Sequence, residues 1–204
     1  MIPVLATARM TLRAPEPDDV EPLFAMLGDA ETMRYWSPGP DADLQATRDR
    51  IASWLAHWRD RGFGDWVLTY GSRPAKPVGF CGIHVVPGRT LPNLGYVIDK
   101  RHWNAGLATE ACRGALAATA RLDLAPARIE AVARGDNVAS RRVLEKCGFA
   151  LVGEIYQYKG ITYPMPWSVY ELGLASLASI ESAQSAAASA NPADSSIVTR
   201  KPST

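Results

Sequence analysis

Residues 94–111 read LGYVIDKRHWNAGLATEA. The stretch opens as a short strand of branched and aromatic residues, crosses a charged loop, and enters a run of small helix formers at Gly106. A strand feeding a helix through a glycine-bearing turn leaves the first helical N–H groups without internal partners, and the helix dipole adds about half a positive charge there. Such a turn suits a phosphate or pyrophosphate. Trp103-Asn104-Ala105-Gly106-Leu107-Ala108 would wrap the anion, with Ala105, Gly106 and Ala108 small enough for close approach. A plain turn has the same appearance, so the stretch alone is a weak sign of a ligand. Only one glycine of a GxGxxG is present, which disfavours a Rossmann dinucleotide site. The absence of Gly-Lys-Ser/Thr excludes a Walker loop.

On the N-terminal side, Arg9 to Arg13 alternates as a first strand, ended by Pro15 and Pro17. Asp18 or Asp19 is placed to cap a helix through Val20, Leu23, Phe24 and Leu27, with Gly28 as its stop. The spacing of Ile51, Trp54, Leu55 and Trp58 predicts a second helix over 43–61 with one apolar face. Strands follow at 66–70, 78–85 and 93–98, the first two separated by a turn at 71–74. On the C-terminal side, a helix is expected from Gly106 to about Leu124, a strand over 128–133, and a helix over 137–147 capped by Asp136 or Asn137. Two last strands, 149–158 and 167–172, are joined by 160–166 as a loop. This order predicts a mixed α/β domain over 1–174, with a twisted mixed sheet of six to seven strands and four helices. From Ala175 the composition turns to Ala and Ser without aromatics, which predicts a flexible tail over 175–204.

Composition narrows the class. Apolar residues are 47% and charged residues 21%, ordinary globular values, and a net charge of +1 favours neither nucleic acid nor a membrane surface. Cys81, Cys112 and Cys147 lack metal-ligand spacing and read as free thiols, so no metal is expected. Neither a secretory leader nor the roughly 20 apolar residues of a membrane helix can be found, and a cytoplasmic protein is expected. Monomer and homodimer both stay open.

A second motif defines the ligand. Residues 137–149, NVASRRVLEKCGF, open a helix with Asn137 and Ser140 and end at a Gly148-Phe149 hinge. Together with 94–111, this segment resembles the GNAT superfamily of acyl-CoA N-acyltransferases, and most closely its branch of Rim-type ribosomal-protein N-terminal acetyltransferases. The opening at 7–36 is similar to that branch as well. The resemblance spans about Thr7 to Leu174 and implies a GNAT-like fold with splayed strands forming an acyl-CoA cleft. It implies acetyl-CoA as acyl donor, its pantetheine lying against the strand at Tyr96 to Ile98 and its pyrophosphate on the turn. The implied cofactor-binding residues are Val97, Ile98, Trp103, Asn104, Ala105, Gly106, Leu107, Ala108, Thr109, Asn137 and Ser140. Asn104 and Ala105 depart from the family, where Gly and a basic residue are usual. Arg101, Arg141 or Arg142 could compensate.

The resemblance further implies direct attack of a primary amine on the thioester in a ternary complex, the acceptor being a protein N-terminal α-amine or a small-molecule amine. Ser140 by match protonates the leaving thiolate, and a backbone N–H near Val97 or Ile98 serves the carbonyl oxygen. The amine must lose a proton before it attacks. Glu130 is the first candidate base, though an ion-pair role fits it too. Glu154 and Asp99 rank beside it, while His84, Glu110, Tyr156, Tyr158 and Cys147 read more simply as packing or surface residues. Trp36 and the segment 163–167 are the expected acceptor walls. Two alternatives stay open: a non-catalytic CoA-binding regulatory module, and an unrelated nucleotide-binding α/β domain.

Overall fold

A computed structural model describes residues 2–71, 76–121 and 126–173. The chain opens with the short pair β1 (Leu5–Ala6) and β2 (Met10–Arg13), antiparallel with Leu5 opposite Leu12. A 3-10 turn over Pro17–Asp19 leads into α1 (Val20–Leu27). The expected side-chain cap from Asp18 or Asp19 does not form: Asp19 holds the cap position, but its carboxylate is bound by the Arg13 guanidinium at 2.7 Å and accepts from the Glu16 N–H. The helix α2 (Leu44–Arg61) starts on a working cap, where the Asp43 carboxylate accepts from the Ala46 N–H, and ends at left-handed Gly62. Its Ile51, Trp54 and Trp58 are buried, whereas Leu55, predicted on the same face, is 41% exposed.

Next come β3 (Asp65–Tyr70), β4 (Pro77–His84) and β5 (Asn93–Ile98), each antiparallel to its predecessor. The helix α3 (Leu107–Ala120), β6 (Arg128–Arg134), α4 (Val138–Lys146), β7 (Ala150–Tyr158) and β8 (Ile161–Gly173) complete the chain. The sheet has eight strands in the order β1-β2-β3-β4-β5-β6-β8-β7, with four α-helices. The expected six to seven strands fall short because β1 escapes the alternation pattern. The predicted loop at 160–166 is also strand from Ile161, and the hairpin turns at Lys159-Gly160 instead. The turn at 72–74, the end of the predicted helix at 122–124 and the tail at 175–204 lie outside the described residues.

Successive side chains of a strand point to opposite faces. On β5, Leu94 and Ile98 join one core with Leu107, Ala111 and Ala115 of α3 and Leu144 of α4. Val97 joins the other with Leu23 and Leu27 of α1 and Ile51 and Trp54 of α2. The small residues of α3 let it lie close to the sheet, as Ala111 and Ala115 are fully buried. The two cores fix a sheet with α3 and α4 over one face and α1 and α2 over the other.

The sheet opens at one place. β5 and β6 are parallel and pair only at Asn93 opposite Glu130, with the Glu130 N–H donating to Pro92 O at 2.8 Å. Beyond that bridge the two strands diverge, leaving the backbone from Leu94 to Ile98 without a strand neighbour on that side.

Candidate active site

The divergence of β5 and β6 makes a cleft of ≈ 580 Å³. Its walls include Val97, Ile98, Trp103, Asn104, Gly106, Leu107, Ala108, Thr109, Asn137 and Ser140. Ala105 alone of the expected cofactor contacts stays out of the lining, and its carbonyl accepts from Arg9 Nη1 at 2.8 Å.

One end of the cleft is the start of α3. Gly106 is its cap residue at φ 76, a conformation that glycine reaches without a Cβ penalty, and no side chain caps the helix. The first internal bond is Glu110 N–H to Gly106 O, at 3.2 Å, so the N–H groups of Leu107, Ala108 and Thr109 stay available to an anion. Asn104 has φ 61, and asparagine tolerates this left-handed region better than other non-glycine residues. The departure from glycine at 104 therefore keeps the turn's shape. Arg9 braces it from the β1–β2 connection: besides Ala105 O it binds Glu110, which also accepts from Thr7 Oγ1 at 2.6 Å. Glu110 is thus engaged by Arg9 and Thr7. Desolvation raises the Glu110 pKa, but the Thr7 and Arg9 hydrogen bonds outweigh it and hold the group below its ordinary value. Among the three arginines that could offset Ala105, Arg101 binds Asp99 and Arg141 binds Tyr170 Oη and Gly135 O. Arg142 lines the cleft, as does Lys146.

The middle of the cleft is the exposed edge of β5. Asp99 N–H donates to Val78 O on β4 at 2.9 Å. By the two-residue period, the Val97 N–H also points to β4, whereas those of Tyr96 and Ile98 point into the cleft. The Val97 N–H is thus turned away from the cleft, and the β5 N–H groups that face it here are those of Tyr96 and Ile98. Ile98 O is already taken by the Trp103 indole N–H at 2.7 Å. Across the gap, Asn137 caps α4 by accepting the Ser140 N–H at 3.1 Å, and Ser140 Oγ stands 2.8 Å from Tyr96 Oη. Burial raises the Tyr96 phenol well above its usual pKa, so it is a proton donor at neutral pH.

The other end is aromatic. Trp36, Tyr158 and Trp167 line it together with Ser37, His84 and Lys159. Ser37 Oγ hydrogen-bonds Tyr163 Oη, and Lys159 Nζ sits 4.9 Å from the Trp36 ring centroid. Of the expected wall at 163–167 only Trp167 lines the cleft, and the segment is strand, not loop.

Glu130 does not reach this cleft. It is 4% exposed, bound through both oxygens by Arg89 and touched by Asn93 Nδ2 at 3.3 Å. An isolated carboxylate on β6 would have served as base, but one held bidentately by an arginine is committed to structure. Asp99 is likewise spent on the Arg101 N–H and guanidinium, and Glu154 is absent from the lining. Arg89 and Arg9 are the partners that local sequence could not show, since each acts across 41 or more residues.

A mixed sheet with one splayed parallel pair and a bare helix start at its mouth defines an acyl-CoA transferase architecture. A model of the acetyltransferase (GNAT) domain matches residues 9–150, and the chain belongs to that family. Relatives in Bacillus subtilis are the uncharacterized N-acetyltransferase YoaA, 29% identical over 78% of this chain and 89% of its own, and the uncharacterized protein YkkB, 31% identical over 82% and 94%. Among solved structures, a GNAT-family acetyltransferase from Bacillus anthracis superposes with TM-score 0.71 at 20% identity, covering 85% of this chain and 99% of that one. The ribosomal L7/L12 α-N-protein acetyltransferase RimL in complex with coenzyme A gives 0.70 at 18%, covering 84% and 98%. A spermidine N-acetyltransferase from Vibrio cholerae in complex with CoA and spermine gives 0.69 at 16%, covering 84% and 99%. At these identities the solved structures show the fold. Family membership makes this chain an N-acetyltransferase, with acetyl-CoA the donor that the family uses. Among the described residues no helix is long and apolar enough to cross a membrane.

Proposed function

We propose that this enzyme transfers the acetyl group of acetyl-CoA to the α-amine of a peptide or protein N-terminus, as in the Rim-type branch. The observation that carries the donor half is the bare N–H row of Leu107, Ala108 and Thr109 at the mouth of the β5–β6 gap. The pyrophosphate would rest there, within reach of Arg142 and Lys146. The pantetheine would lie along the β5 edge, meeting the Tyr96 and Ile98 N–H groups and the Asn137 side chain. Tyr96 and Ser140 would deliver the proton to the leaving thiolate. No metal is invoked.

The acceptor half rests on charge. Lys159 projects into the aromatic end, and the carboxylates near it are buried or already paired. A polycation would be repelled there. An α-amine followed by a peptide carbonyl meets no such penalty, and the carbonyl gains a cationic donor. The test is thiol release from acetyl-CoA with Ser-, Ala- and Met-initiated peptides beside spermidine, with mass spectrometry of the products. Transfer to peptide α-amines is expected to dominate. Preferred acetylation of spermidine would sink the acceptor assignment, and binding of acetyl-CoA without thiol release would favour a regulatory CoA-binding module. The same reading divides the chain at residue 174, so a chain ending there should keep its affinity for acetyl-CoA.

A further inference from the structure

Buried polar side-chain atoms are almost always hydrogen-bonded, and the exceptions cluster where a structure does chemistry. Among the described residues four such atoms lack a partner: Trp36 Nε1, Asp65 Oδ1, His84 Nδ1 and Trp167 Nε1. Trp36, His84 and Trp167 all line the aromatic end of the cleft, and Asp65 lies directly behind His84, with Oδ2 3.9 Å from His84 Nδ1. The backbone makes room for this arrangement. A Cβ at Gly95 would stand 2.8 Å from His84 Cε1 and 3.5 Å from Trp36, so glycine at that position lets both rings close over β5. His84 thus sits against the same stretch of β5 whose far face carries Tyr96, one residue away from the proposed thioester donors.

We infer that His84, backed by Asp65, is the group that takes the proton from the acceptor amine. The inference rests on the acyl-transfer reading above and supplies the base that Glu130 cannot be. With Nδ1 buried toward Asp65, Nε2 is the nitrogen left for the cleft. An incoming R–NH3+ gives one proton to Nε2, and its freed lone pair forms the N–C bond with the acetyl carbonyl. The C–S bond breaks. A second nitrogen proton reaches the thiolate sulfur through the Tyr96–Ser140 hydroxyls, and the third remains on the amide. His84 then passes its proton to water, so one proton is released per turnover.

The electrostatics keep His84 unprotonated in the resting enzyme and make its proton uptake depend on Asp65. His84 is faced by Asp65 from β3, by His57 from α2 and by Lys159 from the β7–β8 turn, while Arg50 of α2 acts on Asp65. Burial first, then the charges of Lys159 and His57, hold its pKa down at about 3, so it enters the reaction as neutral imidazole. Burial pushes Asp65 up to about 7, against the pull of Lys159 and Arg50. Ionised Asp65 beside the ring is what makes the transient imidazolium tolerable, and kcat/KM should rise through about pH 7 as Asp65 loses its proton.

The test compares the full wild-type chain with H84Q and D65N, using a Ser-initiated tripeptide and, separately, hydroxylamine, a weak base already neutral at pH 7. His84→Gln is expected to cut peptide turnover by about 100-fold, the range of a lost general base, while hydroxylamine turnover falls by no more than about fivefold. Calorimetric affinity for acetyl-CoA should stay within about twofold. Asp65→Asn should erase the limb near pH 7 and leave the limb that belongs to the amine itself. Equal losses with both acceptors, or none, would overturn the role of His84. If wild-type protein binds acetyl-CoA yet acetylates no peptide, the α-amine reading is what fails. The inference is then judged on the imidazole NMR signal of His84, one of three histidines. It should move when butylamine is added to the CoA complex, and a signal that stays put would sink the inference.

Discussion

Tyr96 Oη and Ser140 Oγ stand 2.8 Å apart across the open seam between β5 and β6, linking the splayed strand to the start of α4. Either hydroxyl can donate to the other, so the pair can act as a two-member proton relay. Each hydroxyl also contributes a neutral hydrogen bond worth about 1 kcal/mol to stability. Tyr96→Phe and Ser140→Ala are therefore expected to unfold at only slightly lower temperature. Each should lower kcat by about 10- to 100-fold through lost thiolate protonation, with KM for acetyl-CoA little changed. Because the two act as one relay, the double variant should be scarcely worse than the more damaged single. Additive losses in steady-state kinetics would show that the hydroxyls work separately.

The anion end makes a different prediction. Arg9 spans Ala105 O and Glu110, and its contribution to folding is small because a part-exposed ion pair is worth at most about 1 kcal/mol. Its contribution to ligand binding is positional, since it holds the turn that presents the Leu107–Thr109 N–H groups. Arg9→Ala should raise the calorimetric Kd for CoA by about tenfold, a loss of about 1.4 kcal/mol, with little change in melting temperature. Gly106→Val should do more, because a β-branched residue is strained at φ 76 and its side chain would intrude on the anion. Unchanged CoA affinity in both variants would move the pyrophosphate elsewhere.

The legible and the illegible parts of this chain divide by range. The β5–turn–α3 unit and the Asn137 cap were readable because strand pattern, glycine and capping chemistry are local, and β5 falls on the predicted residues 93–98. The first half of β8 was hidden by Pro164 and Pro166, residues that ordinarily break strands. They are tolerated because β6 pairs with β8 only from Trp167 onward, so the missing N–H groups face no partner strand on that side. The fate of Glu130 was unreadable for a physical reason: its strand and face could be inferred, but Arg89 reaches it by a fold-determined contact. In the sequence His84 reads as a packing residue, because nothing local shows that Asp65, nineteen positions earlier, is the group beside its ring.

Lys159 allows the acceptor preference to be inverted. It has a left-handed φ of 51 at the β7–β8 turn and carries its ammonium over Trp36. Burial first, then Arg50, lowers its pKa, while Asp65 opposes the shift. Replacing it with an anion removes a repulsion and adds an attraction for cationic acceptors. In Lys159→Glu, the ratio of kcat/KM for spermidine to that for a peptide should rise by about tenfold or more, a coupling of about 1.4 kcal/mol. The peptide alone should lose activity mainly through KM. A ratio unmoved by the substitution would place Lys159 outside the acceptor subsite.

The Asp65–His84 pair also leaves a mark on stability. A buried Asp65 with a folded pKa of about 7 holds its proton more tightly than in the unfolded chain, where carboxylates titrate near about 4. Stability from this group is therefore full below about pH 4 and is lost as the pH rises to about 7. His84, at about 3 when folded against about 6.5 unfolded, has the opposite slope: its contribution is full above about pH 6.5 and is lost as the pH falls toward 3. Between about pH 4 and 6.5 the two slopes oppose each other, and wild-type stability should be nearly flat from this source. Each variant unmasks one slope. Asp65→Asn should gain stability as the pH rises from 4.5 to 6.5, by up to about 1.4 kcal/mol per unit. His84→Gln should lose stability over the same range. Urea unfolding at about pH 4.5, 5.5 and 6.5 reads both slopes directly, and parallel curves for the two variants would mean that the groups do not hold their protons as the burial of the pair requires.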